Sequence, residues 1–447
     1  MKPFPYQRTG IEFLASRKCA ALLDEPGLGK TAQAIEALGR VGAKRTLLIV
    51  PLIVIANWER ELEMWAPWAS TQRLRNGRNT IDPDVSIVLC PHSLIAREPI
   101  LEQLRAEQWD VTIVDEAHYF KNPKAARSQA LYARATGIAP HTDRLWLLTG
   151  TLLPNNASEV WTHLTQLAPE RITYNNRMMQ YWQFQQRYCE YEETRFGKRI
   201  IGNRNVEELR DILASCTLGR RKADVLPDLP PSRSVRVPLP APTRKQLKPM
   251  EDLLDRVSEE TGRNVRQLGG ADLLQAVRDS SEFSTYRRLS GEIKTEAAIE
   301  WLTGELESGL EKVVVFAHHI GIIQQITAAL ASYGAQAITG DVSADGRQRI
   351  VDQFQTDPEC RVVIGQLTAA STGITLTAAS DVVFVEADWT PGTNKQASDR
   401  VHRVGQDKPV LCRYLTMEGS VDELVTAAIM RKMAMISELD TTNASTA

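Results

Sequence analysis

Two stretches of this 447-residue chain carry side chains spaced for phosphate chemistry. Residues 113–122 read Ile-Val-Asp115-Glu116-Ala117-His118-Tyr-Phe-Lys121-Asn122. Two adjacent carboxylates follow a short apolar run that reads as a buried strand. A strand end aims such groups into the crevice where open α/β sheets bind ligands. One carboxylate can hold a divalent cation while its neighbour polarises an attacking water. Alone, an acidic pair after a strand is usually just a solvated loop. Its complement lies upstream, at Gly27-Leu28-Gly29-Lys30-Thr31. A glycine-bearing loop between a strand and a helix turns backbone N–H groups toward phosphate, and the helix dipole favours the anion. Lys30 would reach the β/γ-phosphates, and the Thr31 hydroxyl would ligate the cation. The full pattern wants a glycine six residues before Lys30, where this chain has Asp24. Near the start, Gln7 could pair with the N6/N7 edge of adenine. Taken on its own, it reads more simply as a surface glutamine.

The elements around these residues alternate. Apolar runs predict strands at 19–23, 46–50, 87–90, 111–114 and 145–148, with helical periodicity at 31–39 and 57–65. Strand–helix alternation implies a parallel sheet with helices on both faces. Residues 152–290 change character: a polar stretch over 174–199, proline-punctuated chain over 226–242, then polar helical sequence over 243–289. They read as helical insertions and a linker. From 291 the alternation resumes. Strands are expected at 312–317, 336–339, 361–365, 381–386 and 410–415, with helices at 320–332, 347–355 and 421–435. The expected organisation is a first lobe over 1–151, insertions and linker over 152–290, a second lobe over 291–440 and a disordered tail over 441–447.

Composition is that of an ordinary globular protein: 43% hydrophobic, 24% charged, net charge −2. Such a balance argues against coating nucleic acid by bulk charge, and leaves room for a narrow basic groove. The six scattered cysteines include no C-x-x-C pair, so zinc ribbons and redox motifs lack support, and incidental thiols in a reducing compartment are expected. The longest apolar run, 47–56, is broken by Pro51 and is too short for a membrane span. With no signal peptide read at the start, a cytoplasmic protein is expected. Asn156-Ala-Ser158 fits a glycosylation sequon that would be inert there.

From Pro5 to about Leu415 the chain resembles the Swi/Snf-type ATPases of helicase superfamily two. The matching blocks fall in order: Tyr6-Gln7; Asp24-Glu-Pro-Gly-Leu-Gly-Lys-Thr31; Pro51 with Asn57-Trp58-x-x-Glu61; Asp115-Glu-Ala-His-x-x-Lys-Asn122; Leu148-Thr-Gly-Thr-x-x-Pro-Asn155. Gly219-Arg-Arg-Lys-Ala-Asp-Val-Leu-Pro-Asp-Leu-Pro-Pro231, Gly340-Asp341, Ser371-Thr-Gly-Ile-Thr375 and Gln396-Ala-Ser-Asp-Arg-Val-His-Arg-Val-Gly-Gln406 follow. Lys121-Asn122 and the last block are specific to this group. Asp388-Trp-x-Pro-Gly392 makes the chain most similar to the annealing-helicase and fork-remodelling branch. Pro26 stands where the family usually has Met, which would stiffen the loop.

The resemblance implies an α/β fold of two RecA-like parallel-sheet lobes in tandem, with helical insertions between them. It implies ATP and Mg²⁺ as cofactors. Gln7 would select adenine, Gly27, Gly29, Lys30 and Thr31 would hold phosphate, Thr31 and Asp115 would hold the metal, and Glu116 would activate water. His118 and Thr149 would link the nucleotide site to the interlobe contacts, and Gly373 would join the nucleotide-binding residues. Gln396, Arg400 and Arg403 would act catalytically from the second lobe, the two arginines as fingers on the γ-phosphate. Their spacing of three, in an expected helix, puts them on one face. A finger of this kind is worth on the order of 10³-fold or more in rate. ATP that needs both lobes favours closure, and hydrolysis releases it. The implied activity is ATP-dependent translocation on double-stranded DNA, with forked or branched duplexes among the expected substrates, by a monomer that touches no membrane; small size and the lack of visible accessory modules read as a bacterial or viral source. A strand-separating helicase and a non-cycling DNA-binding scaffold are the alternatives. Small or hydroxylated residues after Pro51, around Pro91-His92-Ser93, at Gly150-Thr151, at His318 and at 371–375 suit phosphate oxygens. The basic clusters Arg220-Arg221-Lys222, Arg287-Arg288 and Lys198-Arg199 are further candidates for DNA contact.

Overall fold

The computed structural model describes residues 2–431, except 151, 153–155, 195–196, 269, 371–373, 419 and 421. The expected tail at 441–447 therefore lies outside the described residues. The chain divides into two compact units, Met1–Pro227 and Asp228–Ala447. The stretch 152–290 is shared between them.

The first unit opens with helix α1 (Pro5–Ala15), whose Pro5 occupies the first turn, where its missing N–H costs nothing. Strands β1 (Cys19–Leu22), β2 (Thr46–Val50), β3 (Thr71–Arg73), β4 (Ile87–Pro91), β5 (Trp109–Asp115) and β6 (Thr142–Leu148) follow. Two antiparallel hairpins come next, β7 (Thr173–Tyr174) with β8 (Arg177–Met178), and β9 (Cys189–Thr194) with β10 (Gly197–Asn203). The first turns through Asn175 and Asn176, both at positive φ (50° and 58°), the left-handed pair that a tight hairpin demands. The short strand β11 (Thr217–Leu218) then joins the sheet edge. The order is β11-β1-β6-β5-β2-β4-β3, with every pair in the sheet parallel.

Alternation sorts the strand residues onto two faces. Leu22, Leu48, Val50, Ile113, Trp146 and Leu148 pack with Leu14 of α1, Leu38 of helix α2 (Lys30–Val41) and Trp58 of helix α3 (Ile55–Trp65). Ala21, Leu47, Ile49, Val88, Val114 and Leu147 face the other core, with Leu104, Leu131, Leu164 and Phe184. Each such buried aliphatic side chain contributes about 1.5–3 kcal/mol, so the sheet is a rigid platform and function belongs to the loops at its ends.

The second unit repeats the plan. Strands β12 (Ser232–Leu239), β13 (Val313–Ala317), β14 (Gln336–Ile338), β15 (Val362–Gln366), β16 (Asp381–Phe384) and β17 (Val410–Met417) form a parallel sheet in the order β12-β17-β16-β13-β15-β14. Val314, Phe316, Val363 and Phe384 line one core, and Val313, Val315, Ile364 and Val383 the other. A satellite core joins Met250, Leu253 and Val257 of helix Arg244–Thr261 to Val277, Tyr286 and Ile429.

Two parallel-sheet lobes in tandem are thus present, as expected. The proline-rich stretch read as linker contains β12, which pairs with β17 along its whole length. Proline lacks a ladder donor, and an edge strand tolerates it because one row of its backbone groups bonds to no neighbour, so Pro238 fits here. All six cysteines are free, and all except Cys19 are buried. No helix of the described residues is long and apolar enough to cross a membrane.

Candidate active site

In the first unit the functional residues gather at the carboxyl ends of β1, β5 and β6. The loop after β1 turns at Gly27 and Gly29, with φ of 90° and 73°. Gly29 caps α2, so Lys30 and Thr31 open that helix. Lys30 Nζ donates to the Asp24 carbonyl at 2.5 Å, curling back along the loop. Gln7 is buried against the same loop. Its Oε1 accepts from Phe4 N at 2.9 Å and its Nε2 donates to the Leu28 carbonyl at 3.2 Å. A carboxamide offers the kind of donor and acceptor that adenine reading needs. A side chain at 29 would strike the amide, since a Cβ there would stand 2.5 Å from Gln7 Nε2.

Asp115 ends β5 and Glu116 leaves it in the left-handed region, with φ 49° and ψ 50°. Among the described residues the other positive-φ non-glycines are all asparagines. Asp115 Oδ2 accepts from Trp58 Nε1 at 2.8 Å, and Oδ1 from Glu116 N at 2.9 Å. Burial, then the neighbouring Glu116 charge, pushes the Asp115 carboxyl up to about 6, against the pull of Trp58 and Lys30. A hard cation beside it would favour the charged carboxylate. Each oxygen keeps lone-pair capacity beyond its single N–H partner. Among the described residues no group of three or more His, Cys, Asp or Glu could hold a metal by itself. A carboxylate with a hydroxyl donor from Thr31 fits a hard cation that keeps waters and substrate phosphates as its other ligands.

His118 Nδ1 lies 3.3 Å from Glu116 Oε2 and 3.1 Å from Thr149 Oγ1. Thr149 follows β6 and is fully buried. A chain of contacts therefore runs from Glu116 through His118 to the end of the neighbouring strand. His92 Nε2 donates to the Asp115 carbonyl at 3.0 Å, and burial lowers its pKa to about 4. Its ring serves the end of β5, where sequence reading offered it to DNA.

The second unit holds Gln396, Arg400 and Arg403. The helix Pro391–Ser398 carries Gln396 and stops before both arginines, which lie in the following turn. The expectation that they share one face of a helix is therefore corrected. Tertiary contacts end the helix: Leu376 N donates to the Arg400 carbonyl at 2.8 Å, and buried Gln406 donates to the carbonyls of Ala379, Thr377 and Val401. Arg400 Nε donates to the Gln396 carbonyl at 3.1 Å, and Arg403 Nη1 to that of Ile374 at 3.3 Å. Gly373 lies outside the described residues, as do Thr151, Ser371 and Thr372.

The basic clusters are largely committed. Arg220 pairs with Asp24, Arg221 with Asp224, Arg287 with Asp388 and Arg288 with Glu292. His318 N and His319 N both donate to Glu386. Trp58 and Arg220 had no assigned part in the nucleotide site. Trp58 sits inside a recognised block, and that was the signal available for it.

A family profile described as SNF2-related domain matches residues 6–248, and one described as helicase conserved C-terminal domain matches 294–405. The chain belongs to the SNF2 family of helicase-like ATPases. It is 32% identical to the DNA annealing helicase and endonuclease ZRANB3 of Mus musculus, over 96% of this chain and 40% of the relative. The SWI/SNF-related matrix-associated actin-dependent regulator of chromatin subfamily A-like protein 1 homolog of Caenorhabditis elegans is 30% identical, over 98% of this chain and 61% of its own length. The chain thus spans less than two thirds of these curated relatives. Among solved structures, the Sulfolobus solfataricus SWI2/SNF2 ATPase core in complex with dsDNA is 22% identical with a TM-score of 0.45, covering 97% of this chain and 93% of that one. SNF2 membership implies that the chain uses ATP.

Proposed function

We propose that this SNF2 chain is a DNA-stimulated ATPase that translocates on double-stranded DNA, with forked or branched duplexes as its substrates. The observation that carries the reading is the linked set at the carboxyl ends of β1, β5 and β6. Lys30 opens α2 directly after the glycine loop, Asp115 ends β5, and Glu116, His118 and Thr149 stand in one line of contacts. Thr31 and Asp115 would hold Mg²⁺, which when bound supplies charge neutralisation at the β- and γ-phosphates. Lys30 binds phosphate, Gln7 faces the adenine, and Glu116 orients the attacking water and takes its proton. His118 carries the state of Glu116 to Thr149. Arg400 and Arg403 supply positive charge to the transition state from the second unit, and Gln396 and Gly373 complete that half.

The name DNA annealing helicase on a relative at 32% identity supports a DNA substrate. A non-cycling scaffold has no need of Lys30, Asp115, Glu116, Arg400 and Arg403 together. The test is the ATPase rate on duplex, forked and single-stranded DNA, followed by displacement of a triplex-forming strand from a duplex. Stimulation by duplex, with ATP-dependent triplex displacement and no unwinding, is expected. Stimulation by single strands alone would favour a strand-separating helicase and overturn the reading.

A further inference from the structure

Arg220 lies 196 residues from Asp24 in sequence, and its guanidinium is the hub of a buried network beneath the phosphate loop. Arg220 Nε donates to Asp24 Oδ1 at 2.9 Å, and Nη2 to Asp24 Oδ2 at 2.6 Å. Nη2 also donates to Gln33 Oε1 at 2.7 Å, and Nη1 donates to the Tyr6 carbonyl. The guanidinium carbon stands 5.3 Å from the centre of the Tyr6 ring. Asp24 is fully buried, and it occupies the position where a full phosphate-loop pattern has glycine. An uncompensated carboxylate there would repel the nucleotide's phosphates. A planar, bidentate guanidinium cancels that charge and fixes its direction.

The network continues to the loop itself. The Leu28 carbonyl receives three donors: Tyr6 Oη at 3.2 Å, Gln7 Nε2 at 3.2 Å and Gln33 Nε2 at 3.1 Å. Drawing that carbonyl inward keeps its lone pairs from the anion and leaves the loop's N–H groups to face it. Gln33 Nε2 also reaches Asp24 Oδ2 at 3.0 Å. Gly10 on α1 makes room for all this, since a Cβ there would collide with Gln33 Oε1 and stand 2.7 Å from Arg220 Nη2. Glu25 N donates to the Arg220 carbonyl at 3.0 Å, so the segment around 220 lies along the loop as a brace.

We propose that Arg220 is a positioning residue for the nucleotide: it locks the adenine-side turn at Tyr6-Gln7 and the base of the phosphate loop into one body. The affinity for ATP and the preference for adenine depend on that lock. The proposal rests on reading 27–31 as an ATP loop. It is tested on the full chain with a fluorescent ATP analogue and Mg²⁺, without DNA, alongside KM, kcat and ATP-over-GTP preference on duplex DNA. R220K keeps the charge and loses the fork. It is expected to weaken ATP binding about tenfold, the equivalent of 1.4 kcal/mol, with kcat at saturating ATP kept within about twofold. The ATP-over-GTP preference should shrink as Gln7 loosens. Gly10→Ala, which wedges the same network from α1, should shift affinity and preference in the same direction. R220K with unaltered ATP affinity and preference, and only a lower melting temperature, would make Arg220 a plain scaffold residue and overturn the proposal. A loss confined to kcat at constant KM would overturn it too. If the wild-type chain bound no analogue, the ATP-loop reading would fall and this proposal with it; wild-type binding matched by R220K refutes the proposal alone.

Discussion

Glu116 holds a left-handed backbone that costs a non-glycine residue on the order of 1–3 kcal/mol, and such strain collects where geometry serves chemistry. The bend brings its carboxylate within 3.3 Å of His118. Glu116→Gln keeps the shape and removes the base. ATP binding should persist while DNA-stimulated turnover falls by about 10²–10⁴-fold, the usual worth of a positioned general base. Full turnover in that variant would dismiss Glu116 from the role. Trp58→Phe removes the indole donor from Asp115 Oδ2. A hydrogen bond to a charged group is worth about 1.5–3 kcal/mol, so about tenfold more Mg²⁺ should be needed for half-maximal ATPase. Nucleotide binding measured without Mg²⁺ should not change, and a Mg²⁺ titration separates the two. The glycines, Lys30 and the acidic pair were legible because each belongs to a short local pattern. The parts of Trp58 and Arg220 were not, because their partners lie 57 and 196 residues away.

The helix Trp161–Leu167 buries His163 completely, with Nδ1 3.0 Å from Tyr132 Oη and Nε2 without a partner. Burial first, then the charge of His118, lowers its pKa to about 3. The folded chain therefore keeps this ring neutral while the unfolded chain protonates it near 6.5. Between pH 6.5 and about 3 the unfolded state binds the extra proton, so stability falls as pH falls through that window. The loss is about 1.4 kcal/mol one pH unit below 6.5. Urea midpoints at pH 7.5 and 5.5 should differ more for the wild type than for His163→Gln, and equal slopes would refute the assignment. Regular elements were legible wherever hydrophobic period and length agreed, as at Thr46–Val50, where expectation and structure coincide. The helix end at Ser398 was hidden because buried Gln406 and the Leu376 backbone bond override local propensity. Strand β12 was hidden because prolines suggest a linker until the partner strand is known.

Each of the two units packs its own cores on both faces of its sheet. Arg400→Ala and Arg403→Ala should each lower DNA-stimulated ATPase by about 10³-fold, as loss of an arginine finger does, and leave ATP affinity near wild type. Either variant with wild-type turnover would remove that arginine from the transition state. The tandem plan was readable from strand–helix alternation, and the division at 227/228 was not, because Pro227 sits inside a stretch that looks uniformly like a tether.

Strand β12, four residues past that division, pairs with β17 from Ser232–Val410 to Leu239–Met417. Anyone severing the two halves must cut ahead of Ser232. A piece beginning at Pro240 would lay bare one flank of the final strand, Val-Leu-Cys-Arg-Tyr-Leu-Thr-Met, and an unclaimed ribbon of that greasiness invites the same flank of another molecule to dock and clump.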